Sequence, residues 1–425
     1  MTTQTELIER NLNVTRVGCK FNRVKALEQQ SFRGRAARVI AHHRLGHAST
    51  TDGLSDDDLI KRAVDAAQVE APNGVAFPTA ILSSEPTDPA LSQLTESDLR
   101  DMARSIIHTI KRNQPGIAVE LELRRVCETI DLHNTNGGAA HLAHAWLEGE
   151  AWVERHTAAD VLVVLDRFST ARLADSPLDF ARRMTRRLRW AREPIEPKTG
   201  TQAVIFSPTA FASLLEPMLL AFNGAHAFQS NSRGRKRRSG FASKIGRQIF
   251  DPQFTLSDDA TLPDRPRSTP IDHEGSPAQR TPLIVDGVVN AFYHDLISAA
   301  QAETLSTGNG YRALIDPPRP SPTNVRVAGG RAGLPDMLEQ LDDGLLIDLI
   351  GESDSSIGLS GDFSRTIVLA YQIKRGRVAG FVRGASVSGD LYKSLQTIAA
   401  LSCDGYWSGD IFAPYIQLGG VTISA

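Results

Sequence analysis

Leu59, Ile60, Ala63, Val64 and Ala67 recur at helical spacing, and the serine just ahead of them, Ser55, stands three residues before Asp58 as in a capping box. A helix is therefore predicted to follow Ser55. A second helix is predicted from near Ser97, with Leu99, Met102, Ile106 and Ile110 on one face and Pro115 and Gly116 ending it. Ahead of both, residues 38–43 read as a strand, and Arg44, Leu45 and Gly46 as the start of the turn that closes it. Val119, Leu121 and Leu123 alternate with Glu120 and Glu122, the two-residue period of a half-buried strand. Residues 134–138 (Asn-Thr-Asn-Gly-Gly) mark a turn between strands. A third helix opens at Ser176 and Pro177, with Phe180, Met184 and Leu188 turned inward and its arginines outward.

Residues 193–200, rich in proline and ending in glycine, break that helix and set the domain boundary: 1–195 as an N-terminal α/β domain, 196–425 as a β-rich C-terminal domain. The second half starts with a short apolar strand, 203–206. Ser207 and Pro208 then supply an N-cap and a first-turn proline for a helix running to Gly224. Beyond it, helical periodicity is sparse and strands are expected at 283–287, 344–350, 366–373 and 377–382. The fold class is mixed α/β (α+β).

Composition narrows the function. The chain has 425 residues, 41% hydrophobic and 23% charged, with a net charge of −2, so it is not a general polyanion binder. Three scattered cysteines, Cys19, Cys127 and Cys403, give neither a disulfide framework nor a CxxC zinc spacing and suit a reducing compartment. No apolar run approaches the roughly 18 residues of a membrane helix. The first residues lack a basic segment leading into an apolar stretch, so a cytoplasmic protein is expected.

Several constellations invite chemistry. His42, His43 and His47 have metal-like spacing, but a strand and turn there favour surface or interface histidines. His141 and His144 could share a helical face, without a third donor. No G-x-S-x-G elbow exists for a serine hydrolase, and no lysine completes a phosphate loop at 305–310. Asp272, His273 and Glu274 concentrate ionisable groups beside Gly275, where turn architecture is the better reading. The dense basic run at 233–238, with Arg235, Arg237 and Arg238, could grip nucleic acid or an acidic partner; a solvated partner-binding loop is favoured, since no aromatic platform accompanies it.

Four stretches together resemble the TldD/TldE family, whose TldE branch is also called PmbA: Ile271-Asp-His-Glu-Gly-Ser-Pro-Ala-Gln-Arg-Thr-Pro-Leu-Ile284, Leu305-Ser-Thr-Gly-Asn309, Pro322-Thr-Asn324 and Gly361-Asp-Phe-Ser364. The last leads into residues 371–376 and 384–389 in the order the family shows, while residues 46–49 and 134–137 fit more loosely. The resemblance implies a cytoplasmic heterodimer that cleaves unfolded peptides in an enclosed chamber, with zinc held by an H-E-x-x-x-H helix and a distant cysteine of the TldD-type subunit. Aligned on Gly224, that helix carries Leu215, Glu216 and Leu220 here; only the glutamate matches. Zinc needs lone-pair donors at about 2 Å, and leucine has none. Cys403 lies where the family's cysteine ligand falls, but in the context Leu-Ser-Cys-Asp-Gly.

The chain therefore reads as TldE-type. No catalytic residue, metal or cofactor is expected in it, and zinc is expected in a TldD-like partner subunit. Asp272, Glu274, Gly275, Ser306, Thr307, Asn309, Asn324 and Phe363 are candidate chamber or substrate-contact positions, and extended peptide held by strand addition is the expected ligand. Two alternatives stand beside this: a partner subunit in specialised peptide or natural-product biosynthesis, and a homodimeric binding or scaffold protein using the 233–238 loop.

Overall fold

The computed structural model describes residues 3–68, 74–112, 114, 116–156, 161–173, 177–230, 236–238, 240–351 and 360–425. Its first half is built on a seven-stranded sheet: β1 (Gln4–Lys20), β2 (Arg23–Ala41), β3 (Arg44–Thr50), β4 (Ile81–Ser84), β5 (Ile117–Asn134), β6 (Ala139–His156) and β7 (Val161–Thr170). The order is β3-β2-β1-β5-β6-β4, with β7 also on β6; β4 runs parallel to β6 and the other pairs are antiparallel.

The two-residue period gives this sheet two faces. Val17, Val119, Leu121, Ala145, Leu147 and Val153 meet the helices α3 (Glu96–Lys111) and α4 (Pro177–Trp190). Ile8, Ala36, Ile130, Leu132 and Leu142, one register step away, meet Ile271 and Ile315 from the second half. Helix α1 (Asp56–Ala67) covers Ala37 and Val39 of β2, and α2 (Pro89–Gln93) precedes α3.

The second half carries a thirteen-stranded sheet. Its centre runs Leu256–Asp259, Val325–Val327, Ile411–Leu418, Val204–Phe206, Gly344–Ile350, Asp362–Lys374, with the large helix α5 (Pro208–Ala221) packed on it. Strands Gly344–Ile350 and Arg377–Val382 form where expected, and the strand expected at 366–373 extends over Asp362–Lys374. The fold is thus a mixture of helices and sheets, as the sequence indicates.

Several local expectations shift. Ser55 caps α1 as read, accepting the Asp58 N–H at 3.2 Å. The second helix, however, starts at the capping box of Thr95 and Asp98, two residues early. The turn expected from Arg44 falls instead at His42 and His43, both with positive φ, and Arg44 already belongs to β3. Gly46 sits inside that strand because α1 crosses it closely: a Cβ there would collide with the Ala63 carbonyl oxygen. His141 and His144 lie on a strand, so their odd spacing sends them to opposite faces. Helix α5 stops at Phe222; Gly224 opens the next short helix and is glycine because a Cβ would strike the His294 ring.

Not every arginine of α4 faces outward. Arg187 is buried, with Nε donating to Asp348 at 2.6 Å and Nη1 to the Leu165 carbonyl at 2.7 Å. Arg265 Nη1 donates to Ser169 O (2.7 Å) and Arg383 Nη1 to Val161 O (2.8 Å). Three guanidinium groups thus cap alternate outward carbonyls of β7, closing a sheet edge that would otherwise invite another strand.

Candidate functional site

The face of the first sheet that carries Ile8 and Leu142 also carries Glu6 and Arg10 on β1, Arg38 on β2, Glu128 on β5 and His144, Trp146 and Glu148 on β6. The loops at 266–273 and 311–321 stand opposite, leaving a cleft of about 820 Å³ between them. Trp146 and Tyr311 give it aromatic surface, and Arg267 lies 4.8 Å over the Tyr311 ring. Arg10 pairs with Glu128 and also donates to the Arg312 carbonyl at 3.0 Å. Burial keeps the His144 and His273 imidazoles below their usual range, so both are neutral near pH 7; nearby Arg10 and Arg312 add to the effect at His273. His273 Nδ1 accepts the Arg312 N–H at 3.2 Å.

Behind the loop wall lies a buried ionic cluster. Arg38 forks onto Glu6 with two bonds of 2.7 Å and reaches Glu274 with its other amino group. Arg312 donates to Glu6 at 2.7 Å, and Glu274 also accepts the Leu296 N–H at 2.8 Å. Burial alone would lower both arginines; Glu6 and Glu274 more than reverse this for Arg38, whereas Arg312, beside the Arg38 cation, falls to about 10. Asp272 accepts three backbone N–H bonds, from Glu274, Ser276 and Gly310, at 2.8–2.9 Å. Burial and the Glu274 charge push it up to about 8, against those donors. Gly275, at φ +81°, closes the turn.

The remaining candidate positions extend this framework. Ser306 and Thr307 donate to the His294 carbonyl at 3.2 and 3.1 Å. Asn309 bridges Asp258 (2.7 Å) and the Ser321 carbonyl (2.9 Å), while Asn324 donates to Asp259 O at 2.8 Å and Ser268 Oγ at 3.0 Å. Asp272, Glu274, Asn309 and Asn324 are all buried. They shape the wall from behind and do not themselves line the cleft. Phe363 is elsewhere, beside Leu214, Pro217 and Met218 of α5.

On α5, Leu215 is buried in the core, whereas Glu216 and Leu220 are about half exposed (56% and 50%). Glu216 meets Arg167 of β7 at 3.4 Å. The described residues contain no group of three or more His, Cys, Asp or Glu side chains placed to hold a metal ion. One carboxylate between two aliphatic chains does not fit zinc. Cys403 is exposed on the strand Ile398–Ser408. Arg235 and the side chains of Arg237 and Arg238 lie outside the described residues.

Sequence reasoning missed most of the cleft. Arg10, Glu128, His144, Trp146 and Tyr311 belong to no motif, although His144, Trp146 and Glu148 recur at a spacing of two and so share one strand face.

Residues 199–425 match the model of the PmbA/TldA metallopeptidase C-terminal domain. The chain is 32% identical over 169 residues to a metalloprotease TldD homolog of Haemophilus influenzae, covering 40% of this chain and 35% of that protein. It is 24% identical over 442 residues to the metalloprotease PmbA of Escherichia coli O157:H7, covering 95% and 89%. The first curated relatives are matched over only about a third to a half of their length. The fold matches the crystal structure of TldE from Thermococcus kodakarensis with a TM-score of 0.86 at 22% identity, over 99% of this chain and 97% of that one. With the family model spanning more than half of its residues, this chain belongs to the PmbA/TldD metallopeptidase family.

Proposed function

We propose that this chain is a non-catalytic, TldE-type subunit of a two-chain peptidase, in which a TldD-like partner carries zinc and this chain supplies a peptide-holding wall. The observation that carries the reading is α5. Positions 215 and 220 are aliphatic, one sealed in the core and one in water, and the carboxylate between them faces Arg167. A catalytic zinc takes three protein ligands plus water; these residues offer one. The relatives named as metalloproteases support a place in a peptidase, and the fold shared with a TldE is compatible with the TldE-type reading; the assignment of hydrolysis to a partner rests on α5.

In this reading the cleft takes extended peptide. Trp146 and Tyr311 offer apolar faces to side chains, while Arg267 and Arg319 offer donors to main-chain carbonyls. Such contacts tolerate many sequences. Co-expression with a TldD-like chain tests it: a stable complex should form, chelator-sensitive peptide cleavage should need both chains, and zinc should accompany the partner. Stoichiometric zinc in this chain alone, or chelator-sensitive hydrolysis by it alone, would overturn the assignment.

A further inference from the structure

The β1–β2 hairpin closes through Phe21 and Asn22, with φ of +48° and +67°. Asparagine tolerates the left-handed region; for a bulky aromatic residue it is strained. Burial does not offset this, because Phe21 is 67% exposed. Nor is the tip loosely held. Asn22 donates its N–H to Val119 O at 3.0 Å, accepts the Val119 N–H at 2.9 Å and donates its side-chain amide to Ile117 O at 3.3 Å. Pinned to β5, the turn holds an aromatic ring in water.

Beside it, on the helical side of the sheet opposite the cleft, lies a groove of about 530 Å³. Val24 and Ile107 form its apolar floor; Arg23, Arg104, His108 and Lys111 form its rim, and no carboxylate lines it. Arg104 is paired with Asp101 at 2.9 Å, but Arg23 and Lys111 have no ion pair among the described residues. Lys20 and Lys25 flank the turn and Arg112 follows α3. In a chain of net charge −2 this is a local concentration of unneutralised cations.

We propose that the Phe21 tip and this groove dock an acidic segment of a partner protein, anchored by an aliphatic side chain. The floor would accept the aliphatic group, Phe21 would cover it, and the rim would meet the carboxylates. A nucleic acid strand would want successive stacking faces, and the tip offers one ring.

The test is fluorescence anisotropy of the full chain with a short labelled peptide rich in Glu with spaced Leu, its Lys-for-Glu counterpart, and a labelled single-stranded DNA. The Glu peptide alone should bind saturably, more weakly as salt rises. Arg23→Glu with Lys111→Glu should raise its Kd about tenfold or more. Phe21→Gly should also raise Kd about tenfold; because glycine suits the turn, Tm should hold or rise, which separates lost binding from lost fold. Absence of saturable binding, equal binding of the Lys peptide, preference for DNA, or unchanged Kd in both variants would each overturn the proposal.

Discussion

The turn at Asp272 to Gly275 and the middle of α5 each carry a glutamate, and their surroundings are opposites. Glu274 is fully buried and bonded to Arg38 and the Leu296 N–H. Glu216 stands in water with one loose contact to Arg167. A buried charge must be partnered on all sides, so the first region is rigid architecture behind the cleft. An exposed carboxylate imposes no such demand and leaves its helix to be shaped by apolar packing. Ionisable residues that look alike in a sequence thus differ by what burial obliges their neighbours to be.

The sharpest way to break the contrast is Arg38→Ala. It leaves Glu6 and Glu274 without their shared cation, and removal of one partner from a buried ion cluster costs about 3–5 kcal/mol. Urea unfolding should show that loss as a lower midpoint. A change below about 1 kcal/mol would mean the cluster is not electrostatically closed.

The next comparison lies within α5. Leu215→His inserts a polar ring into a fully buried site and should cost about 2–4 kcal/mol. Leu220→His, at a half-exposed position, should cost under about 0.5 kcal/mol. Equal losses by thermal unfolding would show that the helix is not oriented as described.

What the sequence made legible follows the same line. The cap of α1, the helix α3 and the strands Gly344–Ile350, Asp362–Lys374 and Arg377–Val382 are local patterns, and they stand where local rules put them or within a few residues. Of the long strands β1, β2 and β6, only the end of β2, within residues 38–43, reads as a strand in the sequence. Glu6 and Arg38 are buried charged residues in β1 and β2, so alternation is blurred where the charge cluster sits. Glu274 was recognisable as unusual, yet its partner Arg38 is 236 residues away and nothing local links them. The same distance hid the cleft, whose walls come from four strands, two remote loops and the turn at Asp410. Arg187 misled for the same reason: its helical face looks polar until Asp348 arrives beneath it.

A smaller effect probes the edge of the buried region through pH. Asp295 caps the helix Leu296–Ala302, accepting the Ser298 N–H at 2.7 Å. Burial, with the Glu274 charge adding to it, raises its carboxyl to about 6. Between the unfolded value near 4 and this one, the native state binds more protons than the unfolded chain, so stability from this group falls as pH rises and the loss is complete above about 6. Asp295→Asn keeps the capping oxygen and cannot ionise. The variant should match the wild type near pH 4 and exceed it by about 1–3 kcal/mol above pH 6, read from urea midpoints across pH. Parallel pH profiles would mean that burial does not raise the Asp295 carboxyl.

The smallest expected effect belongs to Glu216, and there the comparison becomes chemical. Its contact with Arg167 is long and both partners are about half exposed, so Glu216→Ala should change stability by less than about 0.5 kcal/mol. The same substitution in the complex with a TldD-like chain should leave peptide cleavage within about twofold, because a carboxylate without a metal-bound or otherwise polarised water has no proton to take. A general base lost from an active centre costs about a hundredfold or more. A loss on that scale, with stability unchanged, would mean that Glu216 acts on water in the assembled enzyme despite its two aliphatic neighbours.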